Sequence, residues 1–374
     1  MGADEKGTKD VSKIFELAIR KVSNAGGGTV VVPKGIFLLK YTVFIPSNIK
    51  ILGSGKSSVI KANISISEGR CAFLVGDSYE WNAAQSSKYM KASSRGWLAN
   101  SSFVDVALGD GLKLKTDDKR IKTRNSSIEN LLIRFDYSGC GSNWGGYGIQ
   151  FSHAANCYAK DIWTENATQA IGIGSDTPPS TPGCVEVYAY NITVIKPDPV
   201  RTYFSIGMIA NSNHCGIYDS RSLLPFTNGS EDGTIIGLNF TEDCTIKNIV
   251  GKVGKSTTSE GILLNNAYGT ILDNVIISDA KHGIAVTFSD YNLLLKKSLK
   301  TNLITNITVR NSDTGILMMS KFNIIKNFVL VDCAVPLKYN INATNNEFYG
   351  FTYWLNQLAP NDKKWLEQFN KFIL

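Results

Sequence analysis

The sequence predicts an all-β solenoid, a parallel β-helix in which short strands repeat as stacked coils. Asn or Asp residues lie just before or within β-branched runs at recurring intervals, and the text around them recurs too, as in Cys157-Tyr-Ala-Lys-Asp161 and Cys215-Gly-Ile-Tyr-Asp219. Self-similarity of roughly two to three dozen residues is typical of solenoids, whose coils bury their apolar faces against their neighbours. Because the units are rich in Ile, Val and Thr, which favour strands, the solenoid is a β-helix. The recurring positions are Asn130, Asp161, Asn191, Asp219, Asn248, Asp273, Asn306, Asn327 and Asn346.

The composition favours one elongated domain. The chain has 374 residues, of which 19% are charged and 33 are glycines, and no change in composition marks a linker. Such a composition suits many tight turns between short strands. No apolar stretch is long enough to cross a bilayer, so we expect no membrane span. Seven cysteines without a C-x-x-C pair indicate free, buried thiols rather than a disulfide framework or a zinc site.

The formal net charge of +7 bears on the class of partner. Basic clusters occur at residues 113–124 and 296–300, but no RNA- or DNA-binding signature accompanies them. We therefore expect no nucleic acid partner. A moderately basic surface suits an anionic polysaccharide, and solvated basic turns explain the same charge equally well.

Both ends of the chain carry an amphipathic stripe. Residues 11–23 have apolar side chains at helical spacing, Asp10 is the predicted N-cap, and the glycines at 26–28 end the helix. Because an open solenoid end exposes apolar interior and unpaired backbone, this helix is predicted to cap the solenoid. We therefore expect an N-terminal cap over 1–28, coils over 29–350 and a C-terminal cap over 351–374. The second stripe comprises Trp365, Leu366, Phe369, Phe372 and Ile373.

The opening segment of the chain carries a family pattern. It reads Gly2-Ala, Gly7, Asp10, Phe15-x-x-Ala18-Ile19, Gly26-Gly-Gly-Thr29, Val32-Pro33-x-Gly35 and Ile51-Leu-Gly53-x-Gly55. These residues resemble the entry segment of the pectate-lyase-like superfamily of right-handed parallel β-helix proteins. The superfamily includes polysaccharide lyases, epimerases, polygalacturonases and phage tailspike depolymerases. The resemblance therefore implies a right-handed β-helix and does not choose among these reactions.

Residues 78–125 interrupt the repeat with a long polar stretch that contains aromatic residues such as Trp81 and Trp97. Loops of this length are usually functional or disordered. In a β-helix such a loop either walls a groove, where its rings stack on sugars, or shields the coil. The excursion at 176–183 and the turn at 139–146 are candidates for the same role. They supply Asp176 and Trp144 as predicted substrate-binding residues.

A second recurring element is a Gly followed by Ile or Leu, found at Gly148, Gly237, Gly261, Gly283 and Gly315. In the resembled superfamily this strand lines the substrate groove. Equivalent residues of successive coils stack about 4.8 Å apart. Glu260 and His282, each directly before such a Gly, are therefore predicted to be neighbours. They form either a catalytic acid–base pair or a surface ion pair on a column of turns.

The segment Tyr147-Gly-Ile-Gln-Phe-Ser-His153 resembles the catalytic strand of mannuronan epimerases and related lyases, a Tyr-Gly-Phe-Asp-Pro-His type of sequence. There a Tyr and a His exchange the C5 proton of a uronic acid. Gln150 stands at the Asp position, and His153 is displaced by one residue, which turns a strand side chain to the other face unless a bulge intervenes. The resemblance implies catalytic roles for Tyr147 and His153 and a substrate contact for Gln150. The alternative is that His153 is a turn residue bonded to the backbone.

Carboxylates that follow the groove strand include Asp176, Asp243 and Asp290. One of them, paired with Glu260, would be able to run glycoside hydrolysis. The polygalacturonase pattern of Asn-Thr-Asp, Asp-Asp and Gly-His-Gly is absent, which counts against that family. Arg221 is the candidate for binding a uronate carboxylate. Pectate lyases use Ca²⁺ held by several acids, but no motif here supports a calcium site, and the cofactor stays unknown.

The sequence leaves three functions open. The leading one is cleavage of an acidic polysaccharide by β-elimination, with His or Tyr side chains of the groove strand transferring protons. The second is a glycoside hydrolase that pairs Glu260 with Asp243 or Asp176. The third is a non-catalytic adhesin or a viral spike shaft, which would be a homotrimer. All three are extracellular, on a cell surface or on a virion.

Removing residues 360–374 tests the C-terminal cap. The apolar interior of the last coil would then face water, so we expect aggregation or loss of solubility. Size-exclusion chromatography and a thermal melt measure both. A truncated chain that stays monomeric and equally heat-stable would contradict the capping assignment.

Overall fold

The computed structural model describes residues 2–64, 71–76, 121, 123–138, 146–174, 183–197, 204–223, 233–254, 259–287, 300–340 and 343–354. Over these residues the chain is a right-handed parallel β-helix, with one helix, α1 (Ser12–Asn24), near its N-terminus. The strands are β1 (Lys6–Asp10), β2 (Gly28–Val31), β3 (Gly35–Leu39), β4 (Val43–Ile45), β5 (Ile49–Ala62), β6 (Cys71–Val75), β7 (Thr123–Arg124), β8 (Ser127–Phe135), β9 (Tyr147–Phe151), β10 (Ala154–Ala167), β11 (Gln169–Gly174), β12 (Val185–Pro197), β13 (Phe204–Ala210), β14 (Gly216–Ser222), β15 (Thr234–Glu242), β16 (Thr245–Lys252), β17 (Glu260–Tyr268), β18 (Ile271–Ser278), β19 (His282–Thr287), β20 (Asn302–Arg310), β21 (Thr314–Met318), β22 (Asn323–Val331), β23 (Val335–Tyr339) and β24 (Glu347–Trp354).

Two parallel sheets run along the solenoid. The broad sheet orders its strands β1-β3-β5-β8 and then takes the even-numbered strands from β10 to β24, with β2 and β7 paired beside this path. The narrow sheet contains β4, β6 and the odd-numbered strands from β9 to β23. From β9 onward, successive strands therefore alternate between the two sheets. Each strand pairs with the equivalent strand of the next coil, which confirms the predicted fold.

The coils turn where a residue adopts a left-handed backbone. Most of the non-glycine residues with positive φ are Asn or Asp, the side chains that tolerate this conformation best. One such corner bends each long strand of the broad sheet. In the coils from β8 to β22 it is occupied by Asn130, Asp161, Asn191, Asp219, Asn248, Asn274, Asn306 and Asn327.

Side chains at this corner bond along the solenoid axis, which makes a ladder. The amide nitrogen of Asn191 donates to Asp161 at 2.6 Å, and that of Asn248 donates to Asp219 at 2.6 Å. Asn274 donates to Asn248 at 2.8 Å. Each bond joins two neighbouring coils, so the ladder fixes the register of the sheet at its bend.

Two members of the predicted ladder are wrong. The left-handed residue of β18 is Asn274 and not Asp273, although the Asp273 carboxylate still accepts a hydrogen bond from Asn306 at 2.7 Å. The corner of β24 is Gly350, and Asn346 lies outside the ladder. Its carboxamide oxygen instead accepts from the buried Asn323, which belongs to a second, internal stack of amides. The dipeptide Asp273-Asn274 offered two candidates for one corner, and the corner of β24 is a glycine, which a pattern of Asn and Asp does not include.

The interior consists of columns of aliphatic side chains. One column in the broad sheet contains Ile217, Ile246, Leu272, Ile304 and Ile325, which are in register and have almost no exposed surface. Burying one such side chain stabilises the fold by about 1.5–3 kcal/mol. The column therefore supplies much of the energy that holds successive coils together.

The described cysteines are free and buried, as the sequence predicts. Cys215 and Cys244 occupy equivalent positions in neighbouring coils, and the Cys215 carbonyl accepts a hydrogen bond from the N–H of Thr245 at 2.9 Å. Burial raises the pKa of the Cys157, Cys184 and Cys244 thiols to about 12. Because the thiolate is the reactive form, these side chains are inert packing groups.

Helix α1 lies at the N-terminal end of the solenoid. Asp10 accepts a hydrogen bond from the N–H of Ser12 at 2.9 Å, although the residue at the N-cap position is Val11. Phe15 and Ile19 are buried in the core, and the Phe15 ring contacts those of Phe37 and Phe73 at centroid distances of 6.3 and 6.1 Å. The helix thus covers apolar side chains of the first coils.

The boundaries of the predicted caps differ from the structure. Strand β1 precedes the helix and pairs with β3, so residues 6–10 already belong to the broad sheet. Residues 351–354, predicted as the start of the C-terminal cap, form the end of β24. The predicted apolar stripe at 365–373 lies outside the described residues. So does the predicted insertion at 78–125, except for residues 121 and 123–125.

Substitution of Asn248 tests the ladder. Asn248→Gly keeps a residue suited to φ of 58° but removes both side-chain bonds, at about 1–3 kcal/mol in total. Asn248→Leu removes the same bonds and adds about 1–2 kcal/mol for a left-handed non-glycine residue. We therefore expect melting temperatures to fall in the order wild type, Gly variant, Leu variant.

Val250→Thr is the matched control, because Val250 lies on the same strand and is half exposed. It should leave the melting temperature nearly unchanged. A Leu variant as stable as the wild type would show that residue 248 is not a corner.

Candidate functional site

Four successive strands of the narrow sheet, β15, β17, β19 and β21, begin with a polar residue. Glu260 pairs with His282, and His282 pairs with Thr314. Thr234 precedes Glu260 in the stack and its hydroxyl lies 3.4 Å from the Glu260 carboxylate. We call these four residues the entry column.

The Glu260 and His282 side chains meet, as the sequence predicts. The distance from His282 Nδ1 to Glu260 Oε1 is 3.6 Å, slightly longer than a hydrogen bond. The side chains are 22% and 13% exposed respectively, so the pair is sheltered and still open to solvent. Catalytic contacts are often this long before substrate binds.

The glycines after the pair lie against the interior of the solenoid. A Cβ at Gly261 would lie 2.3 Å from the carbonyl oxygen of Gly283 and 2.3 Å from a methyl group of the core residue Ile277. Gly261 therefore faces the crowded interior. Simple alternation does not hold at this point, because Ile262, next to Gly261, is buried in the core as well. The partial exposure of Glu260 and His282 shows that their side chains reach the solvent.

A second polar column lies further along the same strands. Asn265 donates to Asn239 at 2.9 Å, and the Thr287 hydroxyl donates to the carboxamide oxygen of Asn265 at 3.2 Å. Leu263 and Ala285 lie between the two polar columns on the outer face. The outer face of the narrow sheet thus presents two lines of hydrogen-bonding groups along the solenoid axis, separated by apolar side chains.

The sequence analysis missed Thr234, Asn239, Asn265 and Thr287. The signal for Asn265 and Thr287 was present, because each lies at the same offset after Glu260 or His282. Thr234 lacks the Gly that marks the other coils, since Ile235 follows it. Only the observed pairing of β15 with β17 reveals its position.

Tyr147 lies in the same stack as Glu260 but is distant from it. The stack passes from Tyr147 through Gln169, Phe204 and Thr234 before it reaches Glu260. Four strand spacings of about 4.8 Å separate the two residues by roughly 19 Å. Tyr147 and the Glu260–His282 pair therefore do not act on the same sugar ring.

His153 and Gln150 are both buried. His153 has no exposed surface and a left-handed backbone with φ of 51°, and its carbonyl accepts from the N–H of Thr123. Gln150 donates to the carbonyl oxygens of Phe151 at 2.9 Å and Gly174 at 2.6 Å. His153 thus occupies a turn and is bonded to the backbone, and neither side chain presents a surface to a polymer in this state.

The structure does not bring Arg221 to the entry column. Arg221 lies on β14 in the broad sheet, where its Nε is 3.4 Å from the Thr193 hydroxyl. The two sheets face different sides of the solenoid. Arg221 and His282 lie on different sheets, and the role of Arg221 in binding a uronate carboxylate stays a prediction.

Asp243 is also far from Glu260. It follows β15, and its N–H donates to the carbonyl oxygen of Tyr268, which lies at the opposite end of β17 from Glu260. A strand of that length spans on the order of 25 Å, whereas the two carboxylates of a glycosidase lie about 5–10 Å apart. Lys300 binds Asp243 and also Glu242, at 2.9 Å. The predicted Glu260–Asp243 pair is therefore wrong.

Trp144, Asp176 and Asp290 lie outside the described residues. Within the described ranges, no group of three His, Cys, Asp or Glu side chains converges on a position for a metal ion. In the same part of the chain, no helix has the length and apolar character needed to span a membrane.

Comparisons with known proteins agree with this architecture. Residues 1–173 match the family described as rhamnogalacturonase A/epimerase, pectate lyase-like. The match covers the N-terminal part of the chain, and it fits the fold of the pectate-lyase-like β-helix proteins. A sequence comparison of this β-helix protein with curated proteins gives no match.

Several solved structures are similar to this chain. ORF18 of Geobacillus virus E2 is 16% identical with a TM-score of 0.60, over 94% of this chain and 60% of its own. A mutant tailspike protein of E. coli bacteriophage HK620, in complex with a pentasaccharide, is 12% identical with a TM-score of 0.61, over 95% and 60%. PfbA, a surface adhesin of Streptococcus pneumoniae, is 14% identical with a TM-score of 0.50, over 94% and 89%. The chain thus spans 60% of the length of these two phage proteins, and the likeness concerns the fold.

Proposed function

We propose that the protein binds an acidic polysaccharide along the outer face of the narrow sheet and cleaves it by β-elimination at the entry column. The observation that carries this proposal is the contact of 3.6 Å between Glu260 and His282, whose side chains are both partly exposed. A carboxylate that orients an imidazole is a common acid–base arrangement. The two polar columns offer further hydrogen bonds to sugar hydroxyls.

His282 is the proton-transfer residue in this proposal. Its Nδ1 faces Glu260, so we assign the ring proton to Nδ1, which leaves the lone pair of Nε2 as the base. Nε2 takes the C5 proton of the uronate, the C4–C5 double bond forms and the C4–O4 bond breaks. The imidazolium then returns the proton to the leaving oxygen, so no second acid is needed.

Glu260 is the positioning residue for that imidazole. Its carboxylate faces Nδ1 and stabilises the positive charge that the ring acquires during the reaction. The Thr234 hydroxyl, 3.4 Å from the other carboxylate oxygen, holds the side chain in place. Lys281 directly precedes His282 and is the basic residue that we assign to the uronate carboxylate.

The same proposal includes a location and an oligomeric state for the protein. Likeness to phage proteins and to a bacterial surface adhesin supports a position on a virion or a cell surface. Likeness to a tailspike supports a homotrimer as the assembled form. Analytical ultracentrifugation of the chain checks this part separately from turnover.

A substrate screen tests the reaction class. The protein is incubated with polygalacturonate, alginate, hyaluronan and neutral glucans, and both ultraviolet absorbance and reducing ends are followed. We expect new reducing ends together with an unsaturated, absorbing product from an acidic polymer. Reducing ends without absorbance would indicate a hydrolase, and binding with neither signal would indicate an adhesin or spike shaft.

Substitutions at the entry column test the site. His282→Gln removes the base, so we expect turnover to fall by about 10²–10⁴-fold. Glu260→Gln leaves a neutral partner and should cause a smaller loss. Both side chains point outward, so the melting temperature should change little.

Two control substitutions separate this site from the other predicted ones. Arg221→Gln, on the broad sheet, should retain full turnover. Tyr147→Phe, four coils away, should also retain it, and a large loss there would move the reaction to the N-terminal part of the narrow sheet. Full turnover in both His282→Gln and Glu260→Gln would overturn the proposal.

A further inference from the structure

Three tyrosines cluster on the outer face of the broad sheet, away from the entry column. Tyr188 and Tyr190 lie on β12 and alternate with the buried Ala189, so both point outward. Tyr218 on β14 is in register with Tyr190. The Tyr190 and Tyr218 rings stack with centroids 5.2 Å apart and planes 18° apart, and the Tyr188 ring is 6.0 and 6.2 Å from them. We call these three residues the tyrosine cluster.

Gly216 makes room for this cluster. It is in register with Tyr188, and a Cβ there would lie 2.5 Å from a ring carbon of Tyr218. The Tyr218 ring therefore leans over bare backbone. All three side chains are half-buried, and this burial raises the pKa of Tyr188 to about 12. The hydroxyls are thus protonated at neutral pH and able to donate hydrogen bonds.

The charges around the cluster are mostly neutralised. Lys50 pairs with Glu129 at 2.7 Å and Lys247 pairs with Asp273 at 3.1 Å. The ladder carboxylates of Asp161 and Asp219 each accept an amide hydrogen bond. Lys160 is in register with Tyr190, is exposed and has no hydrogen-bond or ion-pair partner among the described residues. The Glu186 carboxylate lies close enough to Tyr188 to contribute to the rise in its pKa. A ligand would therefore meet aromatic rings and hydroxyls first, with the cation of Lys160 beside Tyr190 and a carboxylate near Tyr188.

We propose that the tyrosine cluster is a second carbohydrate-binding site, which holds sugar rings of the same polymer that the narrow sheet binds. Aromatic side chains supply a large apolar surface with a polar tip, which suits a pyranose ring with its apolar C–H faces and its hydroxyls. Tyr190 and Tyr218 stack along the solenoid axis, which extends the contact from one coil to the next. Lys160 contacts a carboxylate or hydroxyl of the bound sugar.

This inference rests on the proposed polysaccharide substrate and adds a role for chain length. The two sites lie on different sheets, so only a long polymer engages both. Engaging a second site on the same polymer raises the overall affinity by as much as about 10²–10⁴-fold without a new contact at the first site. Loss of the cluster should therefore weaken binding of the polymer and leave turnover of short oligosaccharides unchanged.

Affinity electrophoresis tests the second site without turnover. Native gels contain polygalacturonate, alginate, hyaluronan or a neutral glucan, and all proteins carry His282→Gln. The double substitution Tyr190→Thr and Tyr218→Thr removes the stacked rings. Thr suits this column of the sheet, because Thr305 occupies the position equivalent to Tyr218 three coils further on. The matched control is Tyr349→Thr, in the same column on β24.

We expect a polymer of the panel to retard the protein that carries only His282→Gln (the parent) and the Tyr349→Thr control equally. The double variant should bind that polymer about tenfold or more weakly. Because rings supply most of the contact, added salt should weaken retardation only slightly. Turnover of short oligosaccharides is compared between the wild type and the double variant, both of which keep His282 for this measurement.

Three results would overturn the second site. The first is that a polymer retards the double variant as strongly as the protein that carries only His282→Gln. The second is that no polymer retards that single-variant protein. The third is that the double substitution converts an oligomer into a monomer, which would make the cluster a contact between copies. Absence of turnover in the wild type, with retardation that depends on the tyrosines, would overturn only the proposed elimination reaction.

Discussion

Every coil of this protein has to turn at equivalent positions, and the left-handed residues at its corners meet that constraint. Asn and Asp serve there because they tolerate positive φ and also bond to the same residue of the next coil. If the corner shifted by one residue, each following side chain would turn to the other face of its strand. The aliphatic columns inside and the polar columns outside therefore both depend on corners that stay in register.

The same register determines which outer residues can act together. Residues of neighbouring coils lie about 4.8 Å apart, so Glu260 and His282 meet although a full coil separates them in sequence. Position in a shared column is not sufficient for a shared site, because the distance grows with each intervening coil. Tyr147 illustrates this limit. Sites in a β-helix are thus local along the axis.

The sequence was sufficient for the fold and for the contact between Glu260 and His282, because both follow from repetition. The Gly that follows Glu260 and His282 marks an equivalent position in both coils, so their contact was predictable from spacing alone. Where two candidates lay close together, as in Asp273 and Asn274, the pattern had no means to choose the corner.

Residues assigned by chemistry rather than by repeat position were harder to predict. Arg221 and Asp243 were chosen as charged groups, and the pairing of strands places one on the other sheet and one at the far end of its strand. The tyrosine cluster had a signal, since Tyr188 and Tyr190 alternate with Ala189 and Tyr218 recurs one repeat after Tyr190. The tyrosine cluster was missed because the search for a site followed the strands with the recurring Gly, which resemble known catalytic segments. The strands that carry the tyrosines have no such resemblance.

The last coils are short and regular, and this gives them a modular character. Strands β20 and β22 match position by position, from Asn302 with Asn323 to Arg310 with Val331. Strands β21 and β23 follow at the same offset. Since a solenoid's stability is approximately a sum over units and their interfaces, this segment behaves as a minimal building block. Gene duplication or loss of such a block would lengthen or shorten the rod by one layer while leaving the chemistry of distant layers intact.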